Sequence, residues 1–204
     1  MKLYYAPSAC SMSPNIVAHE AGIPISLERV DSRAKKTHDG RDFWAINPKG
    51  YVPALELDNG EILTEGPTIV QYLADLKPDA KLLPPADTFE RTRVQEMLGY
   101  INSELHKSYG PLFDPAATPE VRAERQVYLR KRYGYIETHL AGKSYLFGEQ
   151  FSVADAYLFT VTNWAGFVKL DLSDLSNLTA FQARVAARPA VQAAMAAERA
   201  PHRT

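Results

Sequence analysis

A single cysteine, Cys10, lies in the stretch SACSMSP at residues 8–14. It follows a predicted strand and comes at the start of a predicted helix. The N-terminus of a helix carries partial positive charge and unpaired N–H groups, and both favour a thiolate. A lone cysteine is as often a small buried apolar residue. Position alone therefore leaves a reactive thiol and a packing residue equally open.

The stretch CSMS, Cys10–Ser13, resembles a C-x-x-C redox motif in which serine replaces the second cysteine. Such a site has no second thiol with which to close an internal disulfide. Any disulfide at Cys10 must therefore be made with a thiol from outside the chain. The motif points to a small-thiol cosubstrate.

A proline at the start of a predicted strand marks a second candidate position, in GYVPAL at residues 50–55. Proline is tolerated where a strand begins, and in thioredoxin-like folds it is usually cis here, although an ordinary trans proline is the common alternative. With Pro53 fixed, the Val52 backbone N–H and C=O can pair with an extended, peptide-like ligand. We therefore assign Pro53 a structural role.

Glu65, in the stretch TEGP, falls between a predicted strand and a predicted helix. Its carboxylate can hold an ammonium group, while Gly66 and the N–H groups that follow can hold a carboxylate. An acidic residue that merely caps the helix explains the pattern equally well. The neighbouring strand ends predict that Cys10, Val52 and Glu65 converge on one edge of the sheet.

The first part of the chain, residues 1–77, reads as strands and short helices in the order β-α-β, connection, β-β-α. A β-α-β unit requires parallel strands, and Asn59-Gly60 predicts a hairpin that adds an antiparallel pair. This order predicts a thioredoxin-like α/β domain. Residues 78–86 are the predicted linker, and residues 87–204 are predicted to form an all-α domain.

Two helices of the predicted all-α domain carry the remaining signals. In the helix predicted over 88–108, Gly99, Asn102, Ser103 and His106 share one polar stripe at helical spacing, which is either a solvated face or the wall of a cleft. Ser152 and Asp155 form a capping-box pattern ahead of a long apolar run. We assign those two residues a structural role at the start of a buried helix.

Composition excludes several classes of protein. With 23 basic and 24 acidic residues among 204, the chain has no electrostatic footprint for nucleic acid. No apolar run reaches the roughly 18 residues of a membrane span, and no signal-peptide core is evident. One cysteine fits a reducing compartment, so we expect a cytoplasmic protein. The histidines lack partners at metal-ligand spacing, so no metal is expected.

The motifs SACSMSP, INPKGYVPAL, LTEGPTIVQYLAD, SELHK and FSVADAYLFTV occur in this order along the whole chain. Together they resemble the beta class of bacterial glutathione transferases. The resemblance implies the glutathione transferase fold, glutathione as cosubstrate, a small hydrophobic electrophile and a homodimer. Residue by residue, it assigns glutathione binding to Cys10, Lys35, Val52, Glu65, Gly66, Ser103, Glu104 and His106.

Within this set, the resemblance gives Glu65 and Gly66 the γ-glutamyl end of glutathione and Val52 the cysteinyl unit. Lys35 and His106 are placed near the thiol and the glycine end, and Cys10 faces the sulfur. Cys10 and His106 are the expected catalytic residues. The chain departs from the family at Gly99, where asparagine is common, and at Tyr51, where glutamine is frequent.

Three functions follow as hypotheses. The first is conjugation of glutathione to hydrophobic electrophiles, related to detoxification. The second is a glutathione-dependent thiol-disulfide reductase or reductive dehalogenase that uses Cys10 in a mixed disulfide. The third is a non-catalytic ligand-binding protein on the same fold.

Overall fold

The computed structural model describes residues 1–200, which form two compact units. The first comprises Met1–Leu83 together with the C-terminal segment that begins at Ala187, and the second comprises Pro84–Ala186. The first boundary falls inside the predicted linker, 78–86. The last helix, which the sequence analysis placed in the helical domain 87–204, instead belongs to the first unit, because its apolar face packs against the first helix of the chain.

The first unit is built on a five-stranded mixed sheet of order β3-β2-β1-β4-β5. Its elements are β1 (Lys2–Tyr5), α1 (Met12–Glu20), β2 (Ser26–Asp31), β3 (Lys36–Thr37), α2 (Phe43–Ile46), β4 (Ala54–Glu56), β5 (Ile62–Thr64) and α3 (Gly66–Asp75).

Strand pairing follows the predicted thioredoxin-like order. β1 pairs parallel with β2 and antiparallel with β4. The hairpin at Asn59-Gly60 joins β4 to β5 in antiparallel register, with Ala54 opposite Thr64, and Gly60 adopts φ +85°, a value that favours glycine. The two-residue strand β3 was missed, because so short a segment carries no alternation that a sequence pattern can register.

The core of this unit lies on both faces of the sheet. Tyr4, Val30, Phe43 and Ala54 form one buried cluster, and the apolar faces of α1 and α3 pack against each other. The last helix, α10 (Pro189–Arg199), lies against α1, where the Asn15 amide donates to the Ala194 carbonyl over 3.2 Å.

The second unit is helical. Its α-helices are α4 (Phe89–Tyr100), α5 (Gly110–Phe113), α6 (Pro119–Leu140), α7 (Val153–Thr162), α8 (Trp164–Phe167) and α9 (Ser176–Ala186). Every residue of α7 is buried, as its apolar sequence predicted. No helix within residues 1–200 combines the length and apolar character needed to cross a lipid bilayer.

The helix predicted over 88–108 is not one continuous α-helix. After Tyr100 the chain forms a π-helical turn, Ile101–His106, and then a 3₁₀ turn, Lys107–Tyr109. Hydrogen bonds from i to i+5 widen the π turn. Ile101 and Leu105 are buried in the core on one side of the turn. Asn102 and His106 both contact the Tyr157 hydroxyl of α7, so these two members of the predicted polar stripe lie on one side of the turn.

The capping box at Ser152 and Asp155 is present, as predicted. The Asp155 Oδ2 atom accepts from the Ser152 backbone N–H at 2.8 Å and from the Ser152 hydroxyl at 2.7 Å. Its Oδ1 accepts from the buried Leu146 N–H at 2.8 Å. One carboxylate therefore starts α7 and also holds the preceding loop.

Candidate functional site

The candidate site of the first unit is organised around residues 49–53, a segment between α2 and β4 that we call the 49–53 segment. Three predicted site residues each touch a different part of it. The Cys10 thiol donates to the Val52 carbonyl over 3.1 Å. Lys35 Nζ donates to the Gly50 carbonyl over 2.7 Å. The Glu65 carboxylate lies 2.7 Å from Lys49 Nζ.

The hydrogen bond from Cys10 to Val52 is available only to the protonated thiol, because a carbonyl oxygen accepts and does not donate. The first N–H groups at the start of α1 are engaged elsewhere: Met12 donates to the Ala9 carbonyl and Ser13 to the Cys10 carbonyl. In contrast to the prediction, these two N–H groups are therefore not available to stabilise a Cys10 thiolate.

The Val52–Pro53 peptide bond is cis, as the sequence analysis expected for a thioredoxin-like fold. The Val52 carbonyl already accepts the Cys10 thiol. A carbonyl oxygen has two lone pairs, so a second donor from an extended ligand can share it.

Glu65 occupies a strained backbone position between β5 and α3. Its φ is +68°, in the region that favours glycine, and such a conformation costs about 1–3 kcal/mol. Its ion pair with Lys49 is more than half exposed. Exposed pairs contribute little to stability, so a ligand that carries an ammonium group can displace Lys49 from the carboxylate.

The start of α3 offers fewer N–H groups to an anion than the sequence suggested. Pro67 has no N–H, and the N–H groups of Thr68 and Ile69 donate to the Glu65 carbonyl at 3.0 and 2.9 Å. Of the backbone N–H groups that were expected to bind an anion after Glu65, only that of Gly66 is therefore left for this role.

Lys35 is held beside two aromatic rings. Its ammonium nitrogen lies 5.6 Å from the Trp44 ring centroid and 5.3 Å from that of Tyr51, close enough for cation–π attraction. Trp44 is 48% exposed. Its ring covers Gly50 so closely that a Cβ there would lie 2.5 Å from it, so this position requires glycine.

Two residues whose hydrogen bonds hold the 49–53 segment in place, one beside it and one within it, were not identified from the sequence. Buried Asn47 donates to the Tyr51 carbonyl at 2.7 Å and accepts from the Lys49 N–H at 3.1 Å. Lys49 also donates to the Thr64 hydroxyl at 2.9 Å. Both residues lie in the motif INPKGYVPAL, which was the available signal.

In the second unit, His106 lies in the π-helical turn, beside α7. Its Nδ1 is 2.5 Å from the Tyr157 hydroxyl, which donates to Asn102 Oδ1 over 2.9 Å. The imidazole also meets the buried Trp164 ring edge-on, with centroids 4.9 Å apart. The structure therefore brings His106 together with Asn102, and adds Tyr157, which the sequence analysis did not single out.

Ser103 and Glu104 make contacts of a different kind. The Ser103 hydroxyl donates to the Gly99 carbonyl within its own helix, over 3.0 Å. Glu104 accepts from the Tyr128 hydroxyl at 2.6 Å and pairs with Arg132 at 2.7 Å, both on α6. Neither side chain joins the cluster around His106.

No group of three or more histidine, cysteine or acidic side chains within residues 1–200 is arranged to hold a metal ion.

The chain thus combines a thioredoxin-like unit, in which a proline lies beside a thiol, with a helical unit. This combination matches two protein-family models. Residues 7–76 match the model of the glutathione S-transferase N-terminal domain, and residues 100–189 match that of the C-terminal domain. The chain therefore belongs to the glutathione S-transferase family, and the predicted fold and enzyme class are confirmed.

Full-length relatives agree with this assignment. Glutathione S-transferase GstA of Escherichia coli O157:H7 is 46% identical over 97% of this chain and 98% of its own length. A sphingomonad glutathione S-transferase, solved in complex with glutathione, is 40% identical with a TM-score of 0.94. A beta-class enzyme from Sphingomonas chungbukensis is 42% identical, also with a TM-score of 0.94. Both structures align with 97% of this chain and 98% of their own. The resemblance to the bacterial beta class is thus confirmed.

Proposed function

We propose that the chain binds glutathione along the 49–53 segment and conjugates it to small hydrophobic electrophiles. The observation that carries this proposal is the contact of Cys10, Lys35 and Glu65 with one short segment. Glutathione is an extended peptide with two carboxylates and one ammonium group. A site with two lysines, one glutamate and an accessible backbone carbonyl suits that pattern of charge.

In this proposal, Glu65 binds the ammonium of the γ-glutamyl end and exchanges its ion pair with Lys49 for one with the ligand. The Gly66 N–H binds the carboxylate of the same end. The Val52 backbone pairs with the cysteinyl unit, and Lys35 binds the carboxylate of the glycine end. The left-handed backbone at Glu65 supports a functional role, because strained backbone conformations cluster at functional sites.

The family resemblance adds the residues of the second unit to the proposal. His106 accepts the proton of the glutathione thiol, and the resulting thiolate attacks the electrophilic carbon. The helical unit supplies the surface for the hydrophobic substrate. Ser103 and Glu104 retain the assignment that the resemblance gave them, although their contacts with Gly99, Tyr128 and Arg132 would have to be shared or exchanged.

Turnover of a reactive aryl halide such as chlorodinitrobenzene with glutathione tests the activity. Formation of the conjugate with release of chloride supports the proposal. Binding of glutathione without turnover of any of several electrophiles would favour the non-catalytic carrier.

A second candidate function, glutathione-dependent thiol-disulfide reduction, is favoured by one observation. Cys10 is the only cysteine and is partly exposed beside the proposed cysteinyl position at Val52. The Cys10 sulfur, as thiolate, would attack the glutathione sulfur of a substrate disulfide that contains glutathione, and the substrate thiol would leave in reduced form. A second glutathione, as thiolate, would then attack the Cys10–glutathione disulfide, which releases glutathione disulfide and returns Cys10 to the thiol.

Cys10→Ala separates the two functions. Because the Cys10 thiol contributes a hydrogen bond to the Val52 carbonyl, we expect its loss to lower conjugation by no more than about tenfold, whereas disulfide reduction is abolished. Cys10→Ser, which keeps a donor to Val52, is the matched control. Loss of conjugation in both variants would show that the Cys10 sulfur itself is essential to conjugation and would contradict this expectation.

We also propose that the protein is a cytoplasmic homodimer involved in detoxification, as the resemblance implies. Sedimentation equilibrium tests the dimer, and a monomer mass would contradict it.

A further inference from the structure

We propose that Tyr157, oriented by Asn102, fixes His106 in the tautomer that carries its proton on Nδ1. Tyr157 lies within α7 and is 1% exposed, so its hydroxyl has a fixed position. That oxygen is 2.5 Å from His106 Nδ1 and 2.9 Å from Asn102 Oδ1. Tyr157 thus connects two side chains of the π-helical turn.

The number of protons available determines the direction of these two bonds. A phenol hydroxyl has one proton to donate and lone pairs with which to accept. The Asn102 Oδ1 atom only accepts, so the Tyr157 proton is committed to Asn102. Nδ1 of His106 must then be the donor in the second bond. A neutral imidazole with its proton on Nδ1 has its lone pair on Nε2.

The surroundings of the ring keep it in this orientation. His106 meets the Trp164 ring edge-on, with centroids 4.9 Å apart, and the Tyr157 ring at 5.8 Å. Trp164 is itself 7% exposed. The partner at Nδ1 is a neutral phenol rather than a carboxylate, so it directs the tautomer without adding negative charge that would favour the imidazolium.

This tautomer has a consequence for catalysis, which rests on the proposed function. His106 can take the glutathione proton only at an unprotonated nitrogen, and Tyr157 makes that nitrogen Nε2. The sulfur keeps the electron pair of its S–H bond and becomes the thiolate, and the imidazolium then holds protons on both nitrogens. It returns the proton from Nε2 to water after the electrophile has reacted. Tyr157 is therefore a positioning residue for His106.

Nitrogen NMR of the full-length protein, labelled at its histidine side chains, reads the tautomer directly. In mildly alkaline buffer, where imidazole is neutral, we expect Nδ1 of His106 to be of the protonated type and Nε2 of the unprotonated type. Loss of these signals in His106→Gln assigns them. A proton on Nε2 in the wild-type protein would overturn the proposal.

Two variants test the cause of the tautomer. In Tyr157→Phe the preference for Nδ1–H is expected to disappear. In Asn102→Ala the Tyr157 hydroxyl can donate its proton to His106 Nδ1, so the tautomer is expected to change to Nε2–H. Asn102 is only partly buried, so this variant still tests the proposal if Tyr157→Phe does not fold. An unchanged tautomer in either folded variant contradicts the proposal. The control is Tyr133→Phe, which removes a buried hydroxyl paired with Tyr109 instead.

Kinetics tests the positioning role. We expect Tyr157→Phe to lower kcat for conjugation by about tenfold or more, with glutathione affinity by calorimetry unchanged within about twofold. An unchanged kcat would refute that role. The NMR result needs no turnover, so a protein that conjugates nothing would refute the proposed function and leave the tautomer assignment intact.

Discussion

Glu65 concentrates several unusual properties in one residue. Its backbone is in the left-handed region, its carboxylate is more than half exposed, and Lys49 lies 2.7 Å from it. An exposed ion pair contributes at most about 1 kcal/mol, which offsets only the lower end of a backbone strain of about 1–3 kcal/mol. The proposed contact with a ligand ammonium would give this strained, exposed position a function.

Glu198 of α10 is a buried acidic residue that is only 4% exposed. The Ser8 N–H donates to its carboxylate at 3.0 Å, and the Asn15 amide lies 3.5 Å away. Burial outweighs these two bonds and raises the pKa of Glu198 to about 7. The carboxyl group thus binds a proton in the folded protein at pH values where the unfolded chain has released it.

Glu198 is therefore expected to make the protein less stable as pH rises from about 4.5 to about 7. The change in the free energy of unfolding is on the order of 3 kcal/mol at most. In Glu198→Gln, urea denaturation across this range should lack that part of the pH dependence. The exposed Glu96→Gln variant is the control and should behave as wild type. Identical pH dependence in Glu198→Gln and wild type would contradict the raised pKa.

The start of α7 and the π-helical turn have different roles in the second unit. The capping box fixes where α7 begins, and α7 in turn presents Tyr157 to the turn that carries His106. Damage to the cap should therefore affect stability first, and the geometry around His106 only through α7.

Asp155→Ala should lower the free energy of unfolding by about 3 kcal/mol, because it removes the cap and leaves the buried Leu146 N–H without its partner. Ser152→Ala removes only the hydroxyl part of the box and should cost about 1 kcal/mol. Urea denaturation of both variants measures the difference. Equal losses in the two would show that the bond to Leu146 does not matter.

Elements with a strong local pattern could be predicted from the sequence, and others could not. The Asn59-Gly60 hairpin and the capping box at Ser152 are set by residues close together in the chain. The π-helical turn after Tyr100 retains helical spacing of apolar residues, so it reads as α-helix. Lys49 lies within a motif that the sequence analysis used, but its ion pair with Glu65 could not be predicted. That contact depends on the pairing of β4 with β5, which brings residues that are distant in the chain close together.

At the scale of the whole molecule, the chain returns to its first unit at its end. The side chains of Val191 and Ala194 in α10 are fully buried, and Arg188 forms two close contacts with Glu20, at 2.6 and 2.8 Å. Residues 87–204 were predicted to be helical, but a local helical pattern contains no information about which surface α10 covers.

A chain ending at Ala187 should therefore lose stability in the first unit, since full burial of a side chain such as that of Val191 contributes about 1.5–3 kcal/mol. Limited proteolysis with peptide mapping should show rapid cleavage within residues 1–83 and protection of residues 84–186. The full-length chain under the same conditions is the reference. Equal protection of both regions would show that α10 is dispensable to the first unit.

We propose above that glutathione binds at the 49–53 segment with its ammonium group on Glu65. Calorimetric titration of glutathione into wild type, Glu65→Gln and the control Glu61→Gln tests it most directly. Glu61, on the hairpin between β4 and β5, is an exposed glutamate outside the site. We predict that Glu65→Gln weakens affinity by about tenfold or more, equivalent to about 1.4 kcal/mol, while Glu61→Gln binds as wild type. Glutathione binding to Glu65→Gln with wild-type affinity would show that Glu65 does not bind the ammonium group.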